Sequence, residues 1–125
     1  MFSFIQKVKE KEKVKLTHFE FVTALAFKHF ARCGVEIAVV EVGMGGRLDA
    51  TNVVKPAVSV VTNVEKEHEN FLGKTVERIA VEKAGIIKRA VPAVTAEWKK
   101  PVLRILRKKC REKNSKLVVV KKPFA

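Results

Sequence analysis

Glu41, His68 and Lys83 can each contribute a ligand to a metal ion, and each lies in or next to an apolar segment of this sequence. Glu41 lies at the end of the apolar run EIAVVEV, where a carboxylate can hold Mg²⁺ beside a nucleotide because a hard cation prefers oxygen ligands. His68 lies in the polar run EKEHEN, just past a second apolar run, and a neutral imidazole can ligate a divalent metal. The alternatives are that Glu41 only caps a strand in solvent and that His68 is an exposed bystander.

Lys83 is the third of these side chains, and its position in the apolar pattern is unusual. A helix is predicted to begin at Thr75, and its apolar positions recur at the spacing of one helical face. Lys83 falls on that face, and a buried lysine must pair, shift its pKa or be chemically changed. A depressed pKa gives a neutral amine that can capture CO₂ as a carbamate, which is an anion able to hold a second metal. The alternative is that the side chain extends its ammonium group to water.

A glycine-rich loop follows Glu41 and reads GMGGRLDATN. Gly45 and Gly46 permit positive φ and a close approach of the backbone to another group. The spacing matches neither GxxxxGK[ST] nor GxGxxG, so this loop is not itself a phosphate loop. Arg47 and Asp49 can pair with each other or contact a ligand, and for isolated residues the structural interpretation is favoured.

The elements that must position these residues alternate along the chain. Helices are predicted from His18 to Cys33, from Thr75 to about Ile87 and over 101–113, and a basic helix comes first. Thr17 and Glu20 form a capping box for the first of these, which stops at Gly34. Strands are predicted over 36–42, 57–63, 91–97 and 116–120.

This alternation predicts an α/β fold with a mostly parallel sheet covered by helices on both sides. Ligands of open parallel sheets bind beyond the carboxyl ends of the strands. We therefore expect Glu41, Asn63 and His68 to lie together at one edge of the sheet.

Composition narrows the class of protein. The chain has 125 residues, of which 47% are hydrophobic, which favours one packed domain over disorder. No apolar stretch reaches the ~18 residues of a membrane helix, and the N-terminus lacks a signal-peptide pattern, so we expect a cytoplasmic protein without membrane contact. The two cysteines are expected to be idle thiols. The net charge of +13 is concentrated near the two ends, on the solvated faces of helices or on a surface for an anionic partner.

Long segments of the sequence resemble one family. EVGMGGRLDATNVV and SVVTNVEKEHENFLGKTVERIAVEKAGIIK closely resemble the central ATPase domain of folylpolyglutamate synthase and dihydrofolate synthase, members of the Mur ligase superfamily. LTHFEFVTALAFKHF is similar to the helix that precedes the first strand there, and the resemblance covers roughly residues 15–120.

The resemblance implies roles for particular residues. Glu41 corresponds to a Mg²⁺-binding glutamate, His68 to a histidine that helps to hold a second metal, and Lys83 to a lysine that is carbamylated. His68 and Lys83 are thus the expected catalytic residues. The expected nucleotide-binding residues are Asn63, Gly45, Gly46 and Arg47.

The resemblance also implies a reaction. The family uses ATP and Mg²⁺ to phosphorylate a carboxylate of a dihydropteroate or a folate, and the amine of glutamate then attacks the acyl phosphate.

The sequence differs from the family pattern in two ways that bear on whether the chain is active by itself. The chain reads NVEKEH where the family often reads NIGLDH, which alters the turn before His68. No GxxGKGS-type phosphate loop stands in residues 1–125. We therefore expect a partial middle domain that lacks the C-terminal glutamate-ligase domain and is inactive alone. Either the chain is a truncated product or a separate chain supplies the phosphate loop. We also expect a tendency to self-associate.

The alternative hypothesis is a non-catalytic binding module whose basic helices dock nucleic acid or an acidic partner. Against it, the sequence contains neither a nucleic-acid-binding motif nor a run of stacking aromatic side chains.

Overall fold

The structure is a computed structural model that describes residues 2–66 and 73–120. The chain divides into two compact units, residues 1–41 and residues 42–125. The predicted site residue His68 lies outside the described residues, so its predicted role stays a prediction. Among the described residues, no helix is long and apolar enough to cross a membrane.

The first unit contains two helices, α1 (Phe2–Lys11) and α2 (His18–Arg32). The predicted capping box at the start of α2 is confirmed. The Thr17 hydroxyl accepts a hydrogen bond from the Glu20 amide at 3.2 Å, and the Glu20 carboxylate accepts one from the Thr17 amide at 2.7 Å. Helix α2 ends as predicted, because Gly34 adopts φ of 64°, a conformation that glycine enters without steric cost.

The strand predicted over residues 36–42 is wrong for the part of the chain that the structure describes. This segment pairs with none of the described strands, and its side chains Ile37 and Val39 are 86% and 97% exposed. Apolar composition indicates a strand only where a neighbouring backbone completes the ladder of hydrogen bonds. Glu41, at the end of this segment, is exposed.

The second unit is built on a parallel sheet of three short strands. These are β1 (Ser59–Val61), β2 (Ala93–Thr95) and β3 (Leu117–Val119), in the order β1-β2-β3. All three lie within the predicted strands, and the register aligns Ser59 with Ala93 and Ala93 with Leu117.

Two helices connect the strands, α3 (Val76–Ala84) and α4 (Lys100–Glu112). Thr75 caps α3 as predicted, since its side chain accepts a hydrogen bond from the Arg78 amide. The predicted extension of α3 to about Ile87 is wrong, because the chain turns at Gly85, whose amide donates to the Glu82 carbonyl.

Helices α3 and α4 pack against each other and cover one face of the sheet. Successive right-handed crossovers that step in one direction place both helices on the same side. Within this unit Val60 and Val118 on the other face are exposed, so the prediction of helices on both sides of the sheet stays a prediction. The core lies between the sheet and the two helices and contains Val61, Val64, Ile79, Ala80, Ala84, Ile87, Ala93, Val102, Leu106 and Cys110.

Leu106→Ala tests this core. Leu106 is fully buried on α4, so its truncation leaves a cavity, and we expect a loss of about 2–5 kcal/mol in the free energy of unfolding. The control is Val81→Ala, which removes an apolar side chain that is 51% exposed on α3. Urea denaturation of both variants measures the difference, and equal losses would contradict the assignment of the core.

Candidate functional site

The glycine-rich loop lies directly against the C-terminal end of α3. Gly46 is buried with φ of 150°, and a Cβ added there would come within 2.9 Å of the Glu82 carbonyl oxygen. From the other side, a Cβ on Gly85 would lie 2.5 Å from Cα of Arg47. Since real Cβ atoms do not approach other atoms so closely, both positions require glycine. We call this contact between residues 46–47 and residues 82–85 the glycine seam.

Polar bonds hold the seam in register. The Arg47 amide donates to the Glu82 carbonyl at 2.9 Å, and the Arg47 guanidinium donates to the Glu82 carboxylate through Nε at 3.2 Å and Nη2 at 3.1 Å. The ion pair is partly exposed and contributes only about 0–1 kcal/mol by itself. A pair between Arg47 and Asp49 was one of the two possibilities that the sequence left open. It is wrong, because Arg47 pairs with Glu82.

Asp49 organises the loop from within. Its carboxylate accepts hydrogen bonds from the Met44 amide at 2.9 Å, the Thr51 amide at 2.9 Å and the Thr51 hydroxyl at 2.5 Å. Burial opposes ionisation of Asp49, but the hydrogen bonds from Thr51, Met44 and Gly43 outweigh it and lower the pKa of the carboxyl. The structural interpretation of Asp49 is therefore confirmed.

Asn52 and Lys88 extend this network to the segment after α3. The Asn52 amide group donates to the carbonyls of Arg47 at 3.0 Å and Gly85 at 3.3 Å. The Lys88 ammonium donates to the Asn52 carbonyl at 2.6 Å. The residues DATN thus join the loop to the helix end through side chains as well as through close backbone packing.

Lys83 lies at this same helix end. Its carbonyl oxygen would be 3.2 Å from a Cβ on Gly46, so the glycine seam and Lys83 are immediate neighbours. Lys83 is half-buried, whereas Ile79, Ala80 and Ala84 fill the buried stripe of α3. The spacing of the apolar residues predicted that Lys83 lies on the buried face of α3. The structure instead places it at the margin of that face, outside the core. Its carbamylation stays a prediction.

A second group of polar residues lies beyond the carboxyl ends of β1 and β2. Asn63 is exposed two residues after β1, and the neighbouring Val64 is fully buried. The Val64 amide donates to the carboxylate of Glu97 at 2.9 Å. Glu97 follows β2 and is only 1% exposed. Sequence reasoning missed Glu97, although an acid directly after a buried strand is the same signal that singled out Glu41.

The structure places some of the predicted site residues next to one another and others in different parts of the chain. Gly46 lies beside Lys83 and Arg47 contacts the neighbouring Glu82, while Asn63 lies at the carboxyl edge of the sheet. Glu41 belongs to the first unit. In residues 2–66 and 73–120, no three side chains of His, Cys, Asp or Glu are grouped to hold a metal ion. The metal site therefore stays a prediction.

Comparison with known proteins gives the class to which this fold and loop belong. A family model of the Mur ligase middle domain matches residues 3–122. The chain therefore belongs to the Mur ligase middle-domain family.

Individual relatives narrow the comparison. The chain is 43% identical over 104 residues to the dihydrofolate synthase/folylpolyglutamate synthase of Bacillus subtilis, covering 82% of this chain and 24% of the relative. The solved folylpolyglutamate synthase of Thermotoga maritima is 43% identical with a TM-score of 0.83, over 96% of this chain and 27% of that one. A folylpolyglutamate synthase solved with AMPPCP and folate is 38% identical with a TM-score of 0.87, over 94% and 29%. The chain thus spans about a quarter of the length of these relatives.

Gly85→Ala tests the glycine seam. Gly85 has φ of −62°, which alanine tolerates, so the only defect is the clash with Arg47. We expect a loss of about 1–3 kcal/mol in the free energy of unfolding and faster amide exchange in residues 44–52.

The matched control is Gly34→Ala, since a Cβ there has nothing within 4 Å and the cost comes only from φ of 64°. If Gly85→Ala leaves amide exchange in the loop as slow as Gly34→Ala does, the seam does not hold the loop.

Acid should weaken the second unit. For Glu97, as for Asp49, burial opposes ionisation, but hydrogen bonds from the amides of Lys99, Val64 and Trp98 outweigh it and lower the pKa. A carboxyl with a lowered pKa stabilises the folded state above its ordinary pKa of about 4 and loses that contribution as pH falls through the folded value. We expect the melting temperature to fall as the pH is lowered below about 5. Asp49→Asn should reduce that fall, and an unchanged pH profile would contradict the assignment.

Proposed function

We propose that this chain provides part of the nucleotide- and metal-binding domain of an ATP-dependent ligase that joins glutamate to a folate or a dihydropteroate. One observation carries the proposal. The loop GMGGRLDATN, which resembles that of the family, contacts through Gly46 and Arg47 the end of the helix that bears Lys83. Relatives of this chain have been solved with AMPPCP, with folate and with ADP.

The donor chemistry of the chain suits Mg²⁺. Glu41 offers an exposed carboxylate, and Lys83 lies half-buried near the end of α3. We propose that Glu41, His68 and the carbamate of Lys83 hold Mg²⁺. When bound, the metal would neutralise the charge that develops on the transferred phosphoryl group.

The glycine seam has a definite task in this proposal. It fixes the end of α3 against the loop through Gly46, Arg47 and Glu82, so the backbone that carries Lys83 cannot shift away from the loop. Gly45 and Gly46 are buried and are proposed to contribute to nucleotide binding by holding the loop in place, and Asn63 presents a polar side chain at the carboxyl edge of the sheet. Arg47, which pairs with Glu82, serves the site mainly by positioning the loop.

The reaction needs groups beyond those in this sequence. Phosphorylation of the acceptor carboxylate gives an acyl phosphate, which the amine of glutamate attacks to form the amide with release of phosphate. Since no phosphate loop stands in residues 1–125, we propose that a phosphate loop outside these residues completes the site. We further propose that the complete site acts in the cytoplasm, where folates and ATP are available.

Nucleotide binding tests the proposal directly. Calorimetric titration with Mg²⁺ and AMPPCP should show weak binding by the wild-type chain, and Glu41→Gln should weaken it by about tenfold because one metal ligand is lost. Glu36→Gln is the control, since it removes an exposed acid from the same segment. Strong folate glutamylation by residues 1–125 alone would contradict the need for a phosphate loop outside them, and no binding at millimolar nucleotide would refute the nucleotide site.

The proposed carbamate has its own test. In ¹³C-bicarbonate, the NMR spectrum of the wild-type chain should show a carbamate carbon that Lys83→Arg abolishes, because arginine forms no carbamate at this position. Lys108→Arg, an exposed position on α4, should retain the signal. A signal that survives Lys83→Arg would assign the carbamate to another amine.

A further inference from the structure

Glu97 is a buried charge to which the proposed function gives no task. Its side chain is 1% exposed, beyond the end of β2. The carboxylate accepts hydrogen bonds from the amides of Trp98 at 2.9 Å and Lys99 at 2.8 Å through Oε1, and from the amide of Val64 at 2.9 Å through Oε2. Burial of a carboxylate is costly unless such bonds compensate it, so three amide donors at one carboxylate indicate a built arrangement.

Lys99 binds the other polar group of the Val64 backbone, its carbonyl oxygen. Its ammonium donates to the Val64 carbonyl at 2.8 Å and pairs with the carboxylate of Glu65. Both backbone polar groups of Val64 are therefore held by charged side chains from the segment after β2. Because Val64 itself is fully buried in the core, this segment is fixed by packing and by polar bonds together.

The fixed segment carries Asn63. This residue is exposed and directly precedes Val64, at the edge where open parallel sheets bind ligands. The held amide belongs to the planar peptide bond that joins Asn63 to Val64. A polar side chain on so rigid a support is suited to meet a ligand group at a set place.

We propose that Glu97 and Lys99 are positioning residues for nucleotide binding, which hold Val64 and thereby set where Asn63 meets the nucleotide. The inference rests on the proposed nucleotide site. An ordinary role in stability would also need buried bonds, but it would not require that the loss of Glu97 and the loss of Asn63 affect the same binding step.

Amide exchange tests the hold on Val64. By NMR, Glu97→Ala should speed exchange of the Val64 amide by at least about 100-fold, while the Leu106 amide in α4 keeps its protection. Glu97→Gln keeps one acceptor oxygen and should fall between Glu97→Ala and wild type. Glu112→Gln is the matched control, since it removes an exposed acid that pairs with Lys109 on the same helix.

A double-mutant cycle tests the positioning role. Asn63→Ala and Glu97→Ala should each weaken Mg²⁺–AMPPCP binding about tenfold, and the double variant should be no weaker than either alone. Lys99→Arg should bind as wild type does, whereas Lys99→Met should weaken binding. If Glu97→Ala fails to fold, the Glu97→Gln and Lys99→Met variants carry the same comparison.

The outcomes separate this inference from the proposed function. A wild-type chain that binds nucleotide while Asn63 and Glu97 act additively overturns the inference alone. Unchanged Val64 exchange in Glu97→Ala also overturns it, whatever the nucleotide affinity. If the wild-type chain binds no nucleotide, both the proposed function and the positioning role fail, and accelerated Val64 exchange then assigns Glu97 to stability only.

Discussion

The second unit depends on one close approach between two backbones, at Gly46 and Gly85. A side chain at either position would overlap atoms of the opposite segment, so the contact requires glycine at both. At this distance the Arg47 amide reaches the Glu82 carbonyl, and the Arg47 side chain reaches the Glu82 carboxylate. The close approach thus comes first, and the hydrogen bonds that give the loop its register follow from it.

The same physical requirement, that buried polar groups find partners, shapes both polar regions of this unit. In the loop, Asp49 gathers the amides of Met44 and Thr51 around one carboxylate. Beyond the strands, Glu97 gathers three amides from two segments. In each case hydrogen bonds outweigh the effect of burial and keep the pKa of the carboxyl low, so ionised acids serve as assembly points for irregular backbone.

The sequence-based predictions succeeded where the signal is local and failed where it depends on a distant partner. The capping box at Thr17, the three paired strands and the course of α4 are encoded by spacings of two to four residues, and the structure confirms them. The segment 36–42 has strand-like composition but no described partner strand. Lys83 falls at the margin of the buried stripe because a helix face is about 100° wide and its spacing fits the edge as well as the centre.

By itself, the sequence determined the α/β class, the alternation of strands and helices in the second unit, and the family, because periodicity, caps and long motifs are properties of neighbouring residues. Only the tertiary structure decided that Arg47 pairs with Glu82 and that Glu97 holds Val64. Arg47 and Glu82 are 35 positions apart in the sequence, and Val64 and Glu97 are 33 positions apart. No local pattern specifies such pairs, since they arise only when packing of the sheet and helices brings two segments within hydrogen-bond distance.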